Sequence, residues 1–471
     1  MSEQDYSKKW YVLAAVSISA LMGTLDASIV NIALPTLSRV FSVEINSVSL
    51  AVTSYLLVIT SFLIVAGRLG DIFGRKKVFL LGLSVFTLGS IICAIAGSFS
   101  MLVGARVIQA VGGSMIAGNS SAIITDSFPQ KERGKALGFI GTVVSIGLTL
   151  GPPLGGLIIE YIGWRYIFYI NIPVGIIAII GCYLQIKPSK PQNGRRELDL
   201  QGMLLLPLIL LSLVLGISYQ SGDFYFPAIS LLIFVILSFI FYRHEVKTKS
   251  PLIDFNLLFE KRFLFSNIAG FISYFSLISV IIIIPFYNEN ILGVSSSQSG
   301  KILLALPLVS MFLAPLAGTI SDRIGQRILA SAGLIVGALG IFHLTGLDQF
   351  SSPGQVAFRL ILIGTGFAFF TTPNNSAIMG ALPFKQRGLA SGMLATVRNL
   401  GMAIGVAVCT LLFTLWKNSN IDNGFAEDTA FMSAFNNVLT IAVIALLIGV
   451  TFSLLRGRDV KVSSRTEAIK K

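Results

Sequence analysis

The sequence has 471 residues, of which 54% are hydrophobic and only 12% are charged, and its formal net charge is +13. A soluble globular chain carries about 25% charged residues, so this composition excludes a fold made of one or two soluble cores. Apolar runs of about 20 residues recur along the whole chain, as in helical membrane proteins with many spans. The alternating pattern of outer-membrane strands is absent from the sequence.

Fourteen apolar segments predict an all-α polytopic membrane protein. Their predicted ranges are 10–34, 47–66, 78–97, 101–124, 136–159, 166–186, 202–219, 225–242, 263–287, 298–318, 328–347, 354–378, 389–415 and 432–455. An even number of spans puts the two ends, 1–9 and 456–471, on the same side of the membrane.

The basic residues indicate which side that is. The two ends and the loops after even-numbered segments hold most of the Lys and Arg, whereas the other loops hold only Arg39, Arg165, Lys301 and Lys417. Cytoplasmic loops are enriched in Lys and Arg, so both termini are predicted to be cytoplasmic. The positive net charge is then a topology signal, and no nucleic acid is needed to explain it.

The chain contains an internal repeat. The stretch PQKERGKALGFIGTVVSIGLTLG at 129–151 shares ten residues at constant spacing with PFKQRGLASGMLATVRNLGMAIG at 383–405, and AGRLGDIFGRK at 66–76 is matched by AGTISDRIGQR at 317–327. The repeat predicts two six-helix halves, 10–186 and 263–455, with the segment 187–262 and its two helices inserted between them. Parallel halves around a central site are typical of transporters; a duplicated scaffold is the alternative.

Several motifs resemble those of the major facilitator superfamily. GRLGDIFGRKK at 67–77 looks like the signature loop between helices 2 and 3, and LDASIVNIALP at 25–35 and RVIQAVGG at 106–113 resemble motifs of its drug:proton antiporters. GLTLGPPLGG at 147–156 resembles the exporter motif of helix 5, and WRYIFYINIPVG at 164–175 is similar to a stretch common in the fourteen-span branch. The resemblance covers essentially the whole chain, and it implies a monomeric transporter that needs no cofactor.

The signature loop has a physical interpretation as an inner gate. Gly67 and Gly70 allow close approach and a tight turn, Gly74 belongs to the same motif, and Asp71 can accept hydrogen bonds from Arg75 or from a helix N-terminus. Such a clamp is expected to hold the halves together on the inner side. A merely solvated basic loop is the alternative.

The glycines and prolines of GLTLGPPLGG predict a bent helix with a smooth face. Pro152 removes a backbone donor and favours a kink, and Gly151, Gly155 and Gly156 are expected to pack against the other half. Gly147 belongs to the same face. In the family this motif is associated with export, and a simple packing kink is the alternative.

Asp26 is the one acidic residue predicted within the membrane core, where a charge costs about 2.5–3.5 kcal/mol on insertion scales. Arg106 of helix 4 is predicted at the same depth, so an intramembrane pair is expected. Burial favours a neutral carboxyl group and a nearby guanidinium favours a charged one, so Asp26 is suited to load and release a proton. A static structural ion pair is the alternative.

Further polar residues of the spans are candidates for the lining of a broad cavity, although they are equally suited to hydrogen bonds between helices. Pro373 is expected to break helix 12 beside two of them. These candidates are Gln109, Asn119, Glu289, Asn374, Asn375 and Arg398.

The sequence therefore predicts a proton-coupled antiporter that exports amphipathic or cationic small molecules, as in multidrug efflux and antibiotic resistance, from a prokaryotic cytoplasm. Its expected partners are protons, these substrates and the lipid bilayer. A dedicated exporter of a lipid or metabolite and a proton-driven uptake symporter remain alternatives. The sequence lacks a nucleotide-binding loop, a metal-ligand spacing and a paired catalytic constellation, which argues against an enzyme or an ATP-driven pump.

Overall fold

The computed structural model describes residues 6–188, 199–218, 225–248, 260–382 and 387–457. These residues form helices and connecting turns, and no β-strand occurs among them. The helices are α1 Lys9–Phe41, α2 Ile45–Phe73, α3 Arg75–Ala94, α4 Phe99–Ser127, α5 Arg133–Tyr161, α6 Tyr166–Gln185, α7 Leu200–Ser218, α8 Tyr225–Lys247, α9 Lys261–Phe286, α10 Ser296–Ile324, α11 Gln326–Leu344, α12 Pro353–Ala381, α13 Arg387–Asp422 and α14 Glu427–Leu455.

The prediction of an all-α polytopic membrane protein is confirmed. Among the described residues, thirteen helices are long and apolar enough to cross a membrane, and the shorter apolar stretch Gln201–Ile217 lies in α7. Several helices extend beyond their predicted apolar segments, because polar residues continue the helix past the hydrophobic stretch. Parts of the predicted ends 1–9 and 456–471 and of the linker 187–262 lie outside the described residues.

The repeat is visible as matching helix contacts in the two halves. In α1–α6, which we call the N-half, Gly112 of α4 lies against the backbone of Gly82 and Phe86 in α3. In α9–α14, the C-half, Gly366 of α12 lies in the same way against Gly333 and Gly337 of α11. Glycine permits this approach because it has no Cβ, and such contacts replace hydrophobic burial as the source of helix association in lipid.

Gly74 and its repeat counterpart Gly325 make the same turn in the two halves. Gly74 separates α2 from α3 with φ +97°, and Gly325 separates α10 from α11 with φ +98°. This left-handed region favours glycine, so the two positions explain why a glycine recurs in both copies of the signature loop.

The halves meet at one end of the bundle. We call the end at which α1 begins and α14 ends the termini face, and the opposite end the far face. Near the far face, Arg39 of α1 forms an ion pair with Glu289, in the π-helical turn Tyr287–Ile291 after α9, at 2.6 Å. The hydroxyl groups of Ser49 in α2 and Thr410 in α13 lie 3.1 Å apart.

The helices α5 and α10 form the third contact between the halves. Gly156 lies against the backbone of Ser296, and Gly300 lies against the backbone carbonyl of Pro152. Toward the termini face the same helices become exposed, since Phe139 of α5 is 51% exposed and Phe312 of α10 is 67% exposed. The halves are therefore closed at the far face and separated toward the termini face.

The helices α7 and α8 cover the side of the boundary between the halves. Leu206 and Leu210 of α7 and Phe241 of α8 pack in one apolar cluster with Leu57 of α2 and Leu400 of α13. Because α2 and α13 belong to different halves, this pair of helices contacts both of them.

The expected break in helix 12 is wrong. The helix α12 runs without interruption from Pro353 to Ala381, through Pro373. A proline inside a helix removes one backbone hydrogen bond, but neighbouring helices allow membrane helices to continue through it.

We expect Gly112→Ala to lower the stability of the protein by about 1–3 kcal/mol, the usual cost of overpacking. The added Cβ would lie 2.4 Å from the backbone nitrogen of Phe86. Gly104→Ala in the same helix is the control, since nothing lies within 4 Å of that position. Thermal unfolding in detergent measures both, and equal melting temperatures for the two variants would contradict this packing.

Candidate functional site

A buried polar network surrounds Asp26 at mid-depth of the N-half. Arg106 of α4 donates from Nη1 to Asp26 Oδ2 at 2.6 Å. Gln109 of α4 and Asn171 of α6 both donate to Asp26 Oδ1, at 2.9 and 2.7 Å. Three side chains from two neighbouring helices thus occupy the two carboxylate oxygens.

Arg106 is held by further partners. Its Nε donates to the carbonyl oxygen of Ala51 in α2 at 3.1 Å, and Nη1 also donates to Gln109 Oε1 at 2.5 Å. The guanidinium lies 4.1 Å from the ring centroid of Tyr55, a cation–π contact. The amide of Gln109 in turn donates to Ser90 Oγ of α3 at 2.7 Å.

The network excludes water and substrate from the ion pair. Asp26 and Arg106 are each 1% exposed. Removing two charges from water costs several kcal/mol per ion, which their attraction offsets only when further hydrogen bonds satisfy both groups. Gln109, Asn171 and the Ala51 carbonyl supply those bonds, so the pair is held by α1, α2, α4 and α6 together.

In the described part of the C-half, this network has no counterpart. Gly112 and Gly366 make equivalent contacts in α4 and α12. In the same alignment of the repeat, Leu360 is the counterpart of Arg106 and Ile363 is the counterpart of Gln109. Both are buried apolar residues. The two halves share their packing, and among the residues that the structure describes the buried charge pair occurs in the N-half and not in the C-half.

The signature loop lies within the N-half in this conformation. Arg75 donates to Asp71 Oδ1 from Nη2 at 2.8 Å and to Asp126 Oδ2 from Nη1 at 2.6 Å, and Gly67 lies against the carbonyl of Gly118 in α4. The expected clamp between the halves is therefore not formed by this ion pair, because the halves are separated at the termini face. Arg75 instead ties α2 and α3 to α4.

The glycines of GLTLGPPLGG pack differently from the prediction. Gly147, Gly151 and Gly155 lie against Thr24, Ser28 and Ile29 or Ile32 of α1, within the same half. Only Gly156 faces the other half, as described above. The reason is that α5 packs between α1 and α10, so different faces of the helix contact different neighbours.

Three predicted cavity residues bond neighbouring helices. Asn119 donates to the carbonyl of Ala66 in α2 at 3.0 Å, and Asn374 donates to the carbonyl of Ser266 in α9 at 3.1 Å. Glu289 forms an ion pair with Arg39 and accepts a hydrogen bond from the hydroxyl of Ser296 at 2.9 Å. In this conformation Asn119 and Asn374 make the hydrogen bonds between helices that the sequence left open as the alternative, and Gln109 belongs to the buried network.

Asn375 and Arg398 are half-buried. Arg398 Nε donates to Asn399 Oδ1 at 3.4 Å. Tyr274 packs edge-on against Phe367 of α12, with ring centroids 5.4 Å apart.

The sequence reasoning missed Asn171, Ser90 and Tyr55. Asn171 stands as a lone amide within the quoted stretch WRYIFYINIPVG, and that isolated polar residue in an apolar run was the available signal. Ser90 and Tyr55 carry no such signal, because serine and tyrosine occur commonly within membrane helices.

The chain is similar to known transporters over nearly its whole length. The family model described as Major Facilitator Superfamily matches residues 16–406 and 268–471. The "Riboflavin transporter RibZ" of Clostridioides difficile is 33% identical over 97% of this chain and 100% of its own. The "Multidrug resistance protein Stp" of Mycobacterium tuberculosis strain H37Rv is 30% identical over 87% of this chain and 77% of its own.

A solved structure shares the fold. The bacterial homologue of the human lysosomal transporter Spinster, crystallised in an inward-facing and unoccupied conformation, aligns with a TM-score of 0.73 at 16% identity, over 96% of this chain and 98% of its own. Together these findings define a multi-pass membrane transporter rather than an enzyme. The chain belongs to the major facilitator superfamily.

We expect Arg106→Met to reduce stability by about 3–5 kcal/mol, because it leaves the buried Asp26 carboxylate without a counter-charge. Adding Asp26→Leu should recover most of that loss, since the second change removes the charge itself. Lys417→Met is the control, because its partner Glu427 is 76% exposed and an exposed pair contributes only about 0–1 kcal/mol. Unfolding in detergent tests this, and a double variant less stable than Arg106→Met would contradict it.

Proposed function

We propose that this protein is a proton-coupled antiporter that exports small amphipathic molecules from a bacterial cytoplasm by alternating access. The observation that carries the proposal is the buried Asp26–Arg106 network. An ionisable residue inside a membrane protein is functional by default, and Asp26 is the titratable carboxylate at the centre of this one.

Protonation of Asp26 would change the bonds that hold the N-half together. A carboxylate accepts at both oxygens, whereas the neutral acid carries a proton on one of them and leaves Arg106 without its counter-charge. Arg106 also bonds the carbonyl of Ala51 in α2 at 3.1 Å. Two residues before Ala51, Ser49 contacts Thr410 of the C-half. The proton is thereby linked through α2 to the closed contact at the far face.

The charge distribution supports an orientation in which the open side of the protein faces the cytoplasm. The loops of the termini face carry most of the Lys and Arg, and the positive-inside rule assigns such loops to the cytoplasm. The space between the halves then opens to the cytoplasm, from which an exporter loads its substrate. The exporter-type motif at 147–156 favours the same direction by resemblance.

The relatives support two substrate classes. The similarity to Stp favours multidrug export, whereas the similarity to RibZ, which spans the whole of that protein, favours a dedicated transporter of riboflavin or a related metabolite. Proton-driven uptake remains the alternative mode for such a metabolite.

Transport by purified protein in liposomes with an imposed pH gradient tests the proposal. The panel consists of riboflavin, an amphipathic neutral drug and an amphipathic cation, each with the gradient in either direction. Accumulation of substrate on one side of the membrane, driven by protons that flow toward the other side, supports antiport. Movement of substrate in the same direction as protons supports uptake by symport. A transport rate that does not depend on the pH gradient would overturn proton coupling.

We expect Asp26→Asn to abolish gradient-driven transport while the protein still exchanges substrate across the membrane without a gradient. Asparagine keeps the shape of the side chain but cannot carry a proton. The control is Asp348→Asn, which changes a carboxyl in the loop after α11. Uphill transport by Asp26→Asn at the parental rate would refute the assignment of Asp26.

We expect Glu289→Gln to increase the population open at the far face by about two- to fivefold, because an ion pair of this kind contributes up to about 1 kcal/mol. The readout is the distance between spin labels on the two halves at the far face. The control is Lys417→Gln, which removes an ion pair with Glu427 inside the C-half. An unchanged distance distribution for Glu289→Gln would mean that Arg39 does not hold the halves together.

A further inference from the structure

The buried ion pair of Asp26 and Arg106 does not supply the charge that a substrate would meet in the membrane core. Asp26 and Arg106 are fully engaged and 1% exposed, so neither presents its charge to the space between the halves. Arg359 lies near the far face and donates to the carbonyl of Gly346 at 3.4 Å. Arg398 remains, half-buried within α13, and no carboxylate among the described residues forms an ion pair with it.

The position of Arg398 on α13 directs it toward the space between the halves. Gly401 and Gly405 face α9, and Thr410 faces α2 of the N-half. At 100° per residue, Arg398 lies next to the α9 side of the helix, between the direction of Gly405 and that of Thr410. Arg398 precedes Thr410 in α13 and therefore lies on the termini-face side of that contact, which is the direction in which the halves separate.

Tyr274 of α9 packs against α13 one helical turn from Arg398. A Cβ added to Gly401 would lie 3.2 Å from the Cβ of Tyr274. The two helices are therefore in close contact one turn from Arg398. The equivalent Gly147 of the N-half lies against Thr24, and Val144 takes the place of Arg398 in the repeat. The tyrosine and the arginine therefore distinguish the C-half wall from the N-half wall.

We propose that Arg398 and Tyr274 form the recognition site for a planar aromatic substrate that carries an anionic group, and that cations are disfavoured there. The guanidinium has a fork of donors that suits carboxylate or phosphate, and an aromatic ring packs on tyrosine at low entropic cost. Burying a second positive charge beside Arg398 would be unfavourable. This inference rests on the proposed transport function, and it replaces the cationic substrates expected from the sequence.

A pair of xanthene dyes tests the sign of the preferred charge, because fluorescein is anionic and rhodamine 6G is cationic on a similar ring system. Binding to the protein in nanodiscs, without a pH gradient, is followed by fluorescence anisotropy. We expect fluorescein to bind the parent more tightly than rhodamine 6G. We expect Arg398→Gln to weaken fluorescein binding about tenfold or more, as for a lost hydrogen bond to a charged group, and to leave rhodamine 6G binding equal or stronger.

Matched variants keep the result interpretable. Arg359→Gln removes an arginine near the far face and should leave both dyes unaffected, and Tyr274→Leu should weaken fluorescein binding while its preference over the cation remains. If Arg398→Gln does not fold, Arg398→Lys is used; it keeps the charge without the planar fork, so we expect a smaller loss with the anion preference retained. A preference of the parent for rhodamine 6G, or equal effects of an Arg398 variant on both dyes, overturns the proposal.

The same assay separates this inference from the proposed function. Asp26→Asn should preserve the preference for fluorescein, because Arg398 and Tyr274 belong to the C-half. If the parent shows the preference but ignores a pH gradient in liposomes, proton coupling fails and the recognition site stands. If coupling holds and the dyes bind equally, the recognition site fails alone.

Discussion

The neutralisation of one buried carboxylate determines how the N-half is built. Asp26 and Arg106 can remain in the membrane core only because Gln109, Asn171 and a backbone carbonyl of α2 satisfy them together. Four helices are consequently fixed relative to one another at a single depth. Any change in the charge of this pair alters the bonds of all four, so a local event has the reach needed for a conformational switch.

The two halves of the repeat divide the work between them. Their glycine contacts are equivalent, which shows that the duplicated packing has been retained, but Leu360 and Ile363 stand in the C-half where Arg106 and Gln109 stand in the N-half. On the proposed function, the N-half responds to protons and the C-half recognises the substrate. Alternating access then requires only that both halves act on their common boundary.

The sequence predicted the fold more fully than the site. Apolar segments, the repeat and the glycine motifs were sufficient to predict the helices and the family, because each follows from local composition and spacing. The contact of Asp26 with Arg106 was also anticipated from depth. The partners of Asn119, Asn374 and Glu289 were not, because a polar residue in a span has the same sequence signature whether it faces a cavity or a backbone carbonyl of a neighbouring helix.

The contact between α5 and α10 at the far face consists largely of backbone, with Gly156 against Ser296 and Gly300 against Pro152. At these positions backbone lies against backbone with no side chain between them, so the two sides separate there without rotamer rearrangement. Beside them, the backbone nitrogen of Ser297 donates to Glu160 Oε2 at 3.0 Å. In a bilayer, lipid tails can replace the lost packing at small cost. On the proposed function, this contact closes the far face in one state and separates in the other state of each transport cycle.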